Sequence, residues 1–209
     1  ELIEKELEKA KYYVNHPDLL KSETEQEILD KKKDTPIHEP YPNLFAHRMT
    51  YYRGFINYPA RLENYLSANS AENAIERNFF PYIMDIEPNR TCNFKCIMCL
   101  HGQEGKVVLP PNMKYSDLVS FIEVNDYITE VKLHGLGEPL LVKSYENMIQ
   151  YLIEKNIWSR IVTNGSLLHV KEKYKLLVDL GIGEIQCSFD GTDKETLEKI
   201  RFGSKWEKV

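Results

Sequence analysis

The chain of 209 residues has few of the features that mark several common protein classes. It has four cysteines, and three lie within eight residues, so they do not make a disulfide framework. No apolar run approaches the roughly 18–20 residues of a membrane span. The charged N-terminus has no signal-peptide apolar core. Basic charge is not in excess: 27 Lys and Arg face 32 Asp and Glu, a net charge of −5. That argues against binding to nucleic acid or to an anionic membrane. Internal repeats and low-complexity tracts are missing too. These absences leave a chain read as cytoplasmic, with a hydrophobic content of 42%, enough for a sizeable core in one or two domains. It starts at Glu1 rather than Met and stops at Val209 in mid-pattern, so both ends are expected to be cut.

What is present centres on Thr91-Cys92-Asn93-Phe94-Lys95-Cys96-Ile97-Met98-Cys99, a C-x3-C-x2-C pattern after an expected strand, Tyr82 to Glu87. A loop this short can point three thiolates at one centre. Thiolates are soft ligands that suit zinc or iron–sulfur clusters. A structural zinc and a [4Fe-4S] cluster both take four ligands, so three local cysteines leave one position open.

The pattern resembles the signature of the radical S-adenosylmethionine (SAM) enzymes. In that family the cluster's open iron binds the amino and carboxylate groups of SAM. An electron from the cluster cleaves SAM to methionine and a 5′-deoxyadenosyl radical. The resemblance implies Cys92, Cys96 and Cys99 as cluster ligands and Met98 beside the cofactor. The family usually has an aromatic residue at that last place, and Met is an apolar, polarisable substitute.

Residues 1–80 read as a helical extension. Leu2, Ile3, Leu7, Ala10 and Val14 recur at helical spacing. Pro17 suits the first turn of a second helix running toward Lys33. Asp34 to Pro42 carries three prolines and reads as a linker. Tyr51, Tyr52, Phe55 and Tyr58 form an aromatic group, for which packing on the next domain is preferred to a substrate-facing lid. Two short helices are expected at Arg61–Leu66 and Ala71–Phe80, the second capped by Ser70.

From residue 81 the pattern becomes strand–loop–helix. Strands are expected at Tyr82–Glu87, Glu130–His134, Ile157–Thr163 and Glu184–Phe189. Helices are expected at Asp117–Val124 (capped by Ser116), from Ser144 to Lys155, at Val170–Leu180 (ended by Gly181) and from a Thr192–Glu195 capping box to Ile200. Four such units argue for α/β architecture with a parallel sheet, curled as part of a β/α barrel. Ligands then sit at the C-terminal ends of the strands.

The remaining motifs lie at those ends. His134-Gly135-Leu136-Gly137-Glu138-Pro139 resembles the family's GGEP motif, with Leu136 in place of the first glycine. This implies Gly137 and Glu138 as SAM contacts, the carboxylate pairing with the amino group. Thr163-Asn164-Gly165 resembles the family's T-N-G, with Asn164 either facing the ligand or only making a turn. Ser188-Phe189-Asp190-Gly191 resembles S-x-D-G, where Ser188 contacts SAM and Asp190 either joins it or caps the following turn. Ile200-Arg201 resembles the I-R whose arginine pairs with SAM's carboxylate. Cys187, inside an apolar strand, reads as core. His134 and His101 are not assigned a role.

The resemblance spans residues 81–209. It implies a partial radical SAM barrel of the SPASM/twitch-like kind, present as the N-terminal part of a longer protein whose later strands are missing here. It implies [4Fe-4S] and SAM as cofactors and an external electron donor of flavodoxin or ferredoxin type. The substrate would be a peptide, carbohydrate or natural-product precursor. The alternatives are a zinc-binding structural module, with His101 as a remote fourth ligand, or a non-catalytic iron–sulfur electron carrier.

Overall fold

A computed structural model describes residues 1–32, 44–70, 78–100 and 111–209. Four helices come first: α1 (Leu2–Asn15), α2 (Pro17–Lys32), α3 (Leu44–Asn57) and α4 (Pro59–Ser70). Then come β1 (Ile83–Ile86), α5 (Tyr115–Glu123), β2 (Glu130–Leu133), α6 (Tyr145–Glu154), β3 (Trp158–Thr163), α7 (Lys173–Leu180), β4 (Glu184–Cys187) and α8 (Lys194–Ile200). The linker expected at residues 34–42, most of the helix expected from Ala71, and His101 lie outside the described residues.

The strands form one parallel sheet in the order β1-β2-β3-β4. An order that never reverses belongs to a segment of a β/α barrel. A doubly wound sheet changes direction at a switch point. Alternation along each strand splits the side chains between two faces. Ile86, Val131, Leu133 and Ile161 point to the helices and pack with Leu118 and Ile122 of α5, Met148, Ile149 and Leu152 of α6, and Leu177 of α7. The opposite face carries Asp85, Lys132, Arg160 and Glu184, which are consecutive partners in register.

The structure corrects some local expectations. Helix α4 runs from Pro59 to Ser70, beyond both ends of the expected Arg61–Leu66, with the Ser70 hydroxyl on the Ser67 carbonyl; the residues Ser70 was expected to cap lie outside the described ones. Helix α5 starts at Tyr115, so Ser116 is not its cap; Asp117 reaches back to the Lys114 N–H at 3.0 Å. Helix α8 is capped by Asp193, whose carboxylate accepts from the Thr196 N–H at 2.9 Å, in place of Thr192. A carboxylate is an acceptor-only group beside the positive end of a helix, and here it outcompetes the hydroxyl one residue earlier. The expected Val170–Leu180 helix is a short turn, Val170–Glu172, followed by α7, with left-handed residues at Lys171 and Glu172. Gly181 does end α7, at φ +88°.

The N-terminal helices dock at the start of the strands. Tyr51, Phe55 and Leu62 pack with Trp158, the first residue of β3. The Arg61 side chain is buried and donates to three carbonyls, those of Asp126 (3.0 Å), Lys155 (2.6 Å) and Asn156 (3.1 Å). These are the loops that lead into β2 and β3. The aromatic group therefore packs under the sheet, at the end away from the cysteines.

Candidate functional site

At the other end of the sheet, the exit loops of β2 and β3 and the segment after α8 meet on the cysteine loop, which is itself the exit of β1. Phe94 anchors that loop, 3% exposed. Its backbone is paired along one side with the residues after α8: Lys95 N–H donates to the Phe202 carbonyl (2.8 Å) and Ile97 N–H to the Ile200 carbonyl (3.0 Å). On another side the Glu138 N–H donates to the Thr91 carbonyl (2.8 Å), and Asn89 Nδ2 donates to the Thr91 and Glu138 carbonyls (2.9 and 3.2 Å). From β3, Asn164 Nδ2 donates to Asn93 Oδ1 at 2.9 Å and lies 3.9 Å from Cys92 Sγ. Asn93 Nδ2 in turn donates to Ser166 Oγ at 2.9 Å.

Cys92, Cys96 and Cys99 are each partly buried. Burial pushes the Cys92 thiol up, and the Phe94 N–H opposes this. Burial also raises the Cys96 thiol, opposed by the nearby Arg201 guanidinium. Cys92 and Cys99 both act on the Cys96 charge, so the three thiols share one electrostatic neighbourhood. Among the described residues no three His, Cys, Asp or Glu side chains come close enough to hold one metal ion. A single zinc with Zn–S bonds of about 2.3 Å would need its sulfurs nearly in contact. A [4Fe-4S] cluster takes one thiolate on each of several irons, which spreads them apart.

The other expected residues lie at the same end of the sheet. Glu138 is 2% exposed, and its carboxylate accepts from the Leu140 N–H (3.1 Å), the Thr163 hydroxyl (2.7 Å) and the Asn164 N–H (2.8 Å). It ties the exit of β2 to the exit of β3, and Oε2, which accepts only from the Asn164 N–H, keeps acceptor capacity. Its pKa is raised by burial, which those neutral donors only partly offset. Gly137 lies against Asn89: a Cβ there would come within 2.5 Å of the Asn89 carbonyl oxygen. Asn164 is buried, and its Oδ1 accepts from the Ser166 N–H and hydroxyl (3.0 and 2.7 Å), so the Asn-Gly turn and the cysteine loop are one network. The Ser188 N–H donates to the Thr163 carbonyl (2.9 Å), which continues the sheet beyond β4. Asp190 Oδ2 pairs with Arg201 Nη2 at 2.5 Å, and Arg201 Nε is buried with no partner. Met98 is 53% exposed at the tip of the loop.

Cys187 is exposed, not core. Its strand is the edge of the sheet, so apolar neighbours in sequence did not give it cover. Asn93, Ser166 and the backbone at Ile200 and Phe202 were not foreseen. Asn93 lies inside the cysteine motif and Ser166 directly after T-N-G, so the motif positions themselves were the available signal.

Comparison with known proteins agrees with this geometry. A family model described as the Radical SAM superfamily matches residues 86–209. The GTP 3′,8-cyclase of Aliarcobacter butzleri is 34% identical over 123 residues, covering 56% of this chain and 37% of that protein. The Fe-coproporphyrin III synthase of Methanosarcina barkeri is 32% identical over 124 residues, covering 54% of this chain and 28% of that protein. The chain thus spans well under half the length of these curated relatives. Among solved structures, Streptococcus suis SuiB bound to the precursor peptide SuiA has a TM-score of 0.52 at 17% identity, over 91% of this chain and 41% of that chain, a likeness of fold.

Proposed function

The chain belongs to the radical SAM superfamily, and on that premise we propose that Cys92, Cys96 and Cys99 hold a [4Fe-4S] cluster beside a SAM site. We assign that site to Gly137, Glu138, Asn164, Ser188, Asp190 and Arg201, with Met98 at its rim. The observation that carries the reading is the clamping of one cysteine loop by three of the four other motif segments, through Glu138, Asn164 and the Ile200–Phe202 backbone. The donor set suits the group: soft ligands that share a field without closing on one ion. A buried, unpartnered Arg201 Nε offers a donor to an anionic group such as a carboxylate. When bound, the cluster supplies an electron that cleaves SAM and frees a carbon radical able to take hydrogen from an unreactive C–H bond.

The chain's own residues bind and orient. Arg201 lowers the cost of negative charge near Cys96, which favours the thiolate a metal needs. Asp190 fixes the guanidinium from one side. Asn164 holds Asn93, and so the start of the cysteine loop, against β3. Glu138 sets the spacing of the two loops, and its remaining acceptor capacity pairs with SAM's amino group. The substrate is a peptide, carbohydrate or natural-product precursor, and an external flavodoxin- or ferredoxin-like protein donates the electron. Residues 1–80 form the helical extension and residues 81–209 the barrel portion.

The test is SAM cleavage. Protein reconstituted anaerobically with iron and sulfide, then reduced, is expected to release 5′-deoxyadenosine from SAM, and Cys96→Ala protein is not. Equal release by both proteins would rule out the assigned ligands.

A further inference from the structure

We propose that the sheet face opposite the helices is a substrate seat for an anionic group, a carboxylate or a phosphate, gripped by Lys132; this rests on the proposed function above. Val131 and Leu133 point into the helix-packed core, so Lys132 between them projects from the other face. Its register partners are Asp85 on β1 and Arg160 on β3. The charges around it are already used. Arg160 Nη1 bonds Glu130 Oε1 at 2.9 Å, and Arg160 Nε pairs with Glu184 Oε2 at 3.2 Å. Glu130 also receives His47 at 3.4 Å from below. Asp85 Oδ2 faces His134 Nε2 at 3.6 Å. Glu87 accepts from the Leu136 N–H at 2.6 Å. Lys132 alone in this row has no hydrogen-bond or ion-pair partner among the described residues.

The location suits a substrate. Lys132 is on β2, three residues before Gly135 and the loop that clamps the cysteines. Beneath it, Tyr51 and Trp158 close the start of the strands. A molecule held at Lys132 would therefore rest between the aromatic floor and the cysteine loop. Lys132 is half-buried, so less water competes with an anion held there than at a fully exposed lysine. His134, steadied by Asp85 and nearer the loop, stands ready to hydrogen-bond a hydroxyl or amine of the same ligand.

The test uses the 209-residue protein without iron, reductively methylated with carbon-13 so that each lysine gives an NMR signal. The Lys132 signal is identified by its loss in Lys132→Gln protein that melts at the same temperature. Inorganic phosphate and acetate are titrated separately, with ionic strength held by sodium chloride. The expected result is a saturable shift of the Lys132 signal at an anion concentration at least tenfold below that moving other lysines. Saturation by phosphate alone assigns a phosphorylated substrate, and saturation by acetate alone a carboxylated one. A Lys132 signal that moves no more than the surface lysines overturns the proposal, as it would if Lys132 were spent on Asp85. Because no cluster is involved, that failure would leave the radical SAM reading standing. A saturable shift in protein that never assembles a cluster would uphold the anion seat alone.

Discussion

The two ends of the sheet each bury a carboxylate on β2 or just after it, and they treat it in opposite ways. At the floor, burial raises the pKa of Glu130, but His47 and Arg160 overcome it and hold the carboxyl below its ordinary value. At the rim, burial raises Glu138, and its three partners are neutral donors that do not restore it. The floor is a packed joint of aromatic rings, a buried arginine and ion pairs. The rim is a set of loops held by hydrogen bonds around partly buried thiols.

The contrast between the ends would break most visibly with Cys96→Ala. The account expects iron and sulfide content after reconstitution to fall to background while the melting temperature barely changes, because the side chain is only partly buried. A large loss of stability instead would make the loop part of the scaffold. Arg61→Ala probes the floor. It removes a buried cation from three carbonyls, which leaves them unsatisfied and costs about 3 kcal/mol in urea unfolding. Burial lowers Arg61 to about 10, so it is still a cation at neutral pH. Its loss should leave cluster content per folded molecule unchanged.

Glu138→Gln sharpens the comparison on the rim. The amide can accept at only one oxygen, so at least one of the Thr163 and Asn164 donors loses its partner, at a cost of about 1–2 kcal/mol. Amide hydrogen exchange should rise at Asn164 and Glu138 before it rises at Trp158. The smallest effect is on pH. Glu130 is depressed in the folded state, so it supports stability above the ordinary carboxylate range and loses that support as pH falls through its folded value. Glu138 is raised, so its ionised form opposes folding at neutral pH, and protonation on acidification relieves this. Carbon-13 carboxyl titration should place the Glu130 midpoint below the ordinary value and that of Glu138 above it. The reverse order would remove the electrostatic difference between the ends.

Much of the fold was legible from the sequence. The strand–loop–helix pattern located all four strands to within a residue or two, and the cysteine, Gly-Glu-Pro, Asn-Gly and Asp-Gly turns all fell at their C-terminal ends. The partners of those turns were not legible. The sequence marks Glu138 as a carboxylate beside a glycine, but its burial depends on Thr163 and Asn164 reaching it from the next strand. The pairing of Lys95 and Ile97 with Phe202 and Ile200 is made by backbone atoms, which carry no sequence label. Cys187 shows the same limit: a run of apolar neighbours implies a strand but does not say which strand is the edge.

The account's central claim is that three cysteines on a clamped loop leave a cluster iron free for SAM. Electron paramagnetic resonance of the reduced, reconstituted protein, recorded with and without SAM, tests it most directly. The account predicts a [4Fe-4S] signal that changes when SAM is added and is missing in Cys96→Ala. A cluster signal indifferent to SAM, or a protein that retains zinc and takes up no iron, would contradict it.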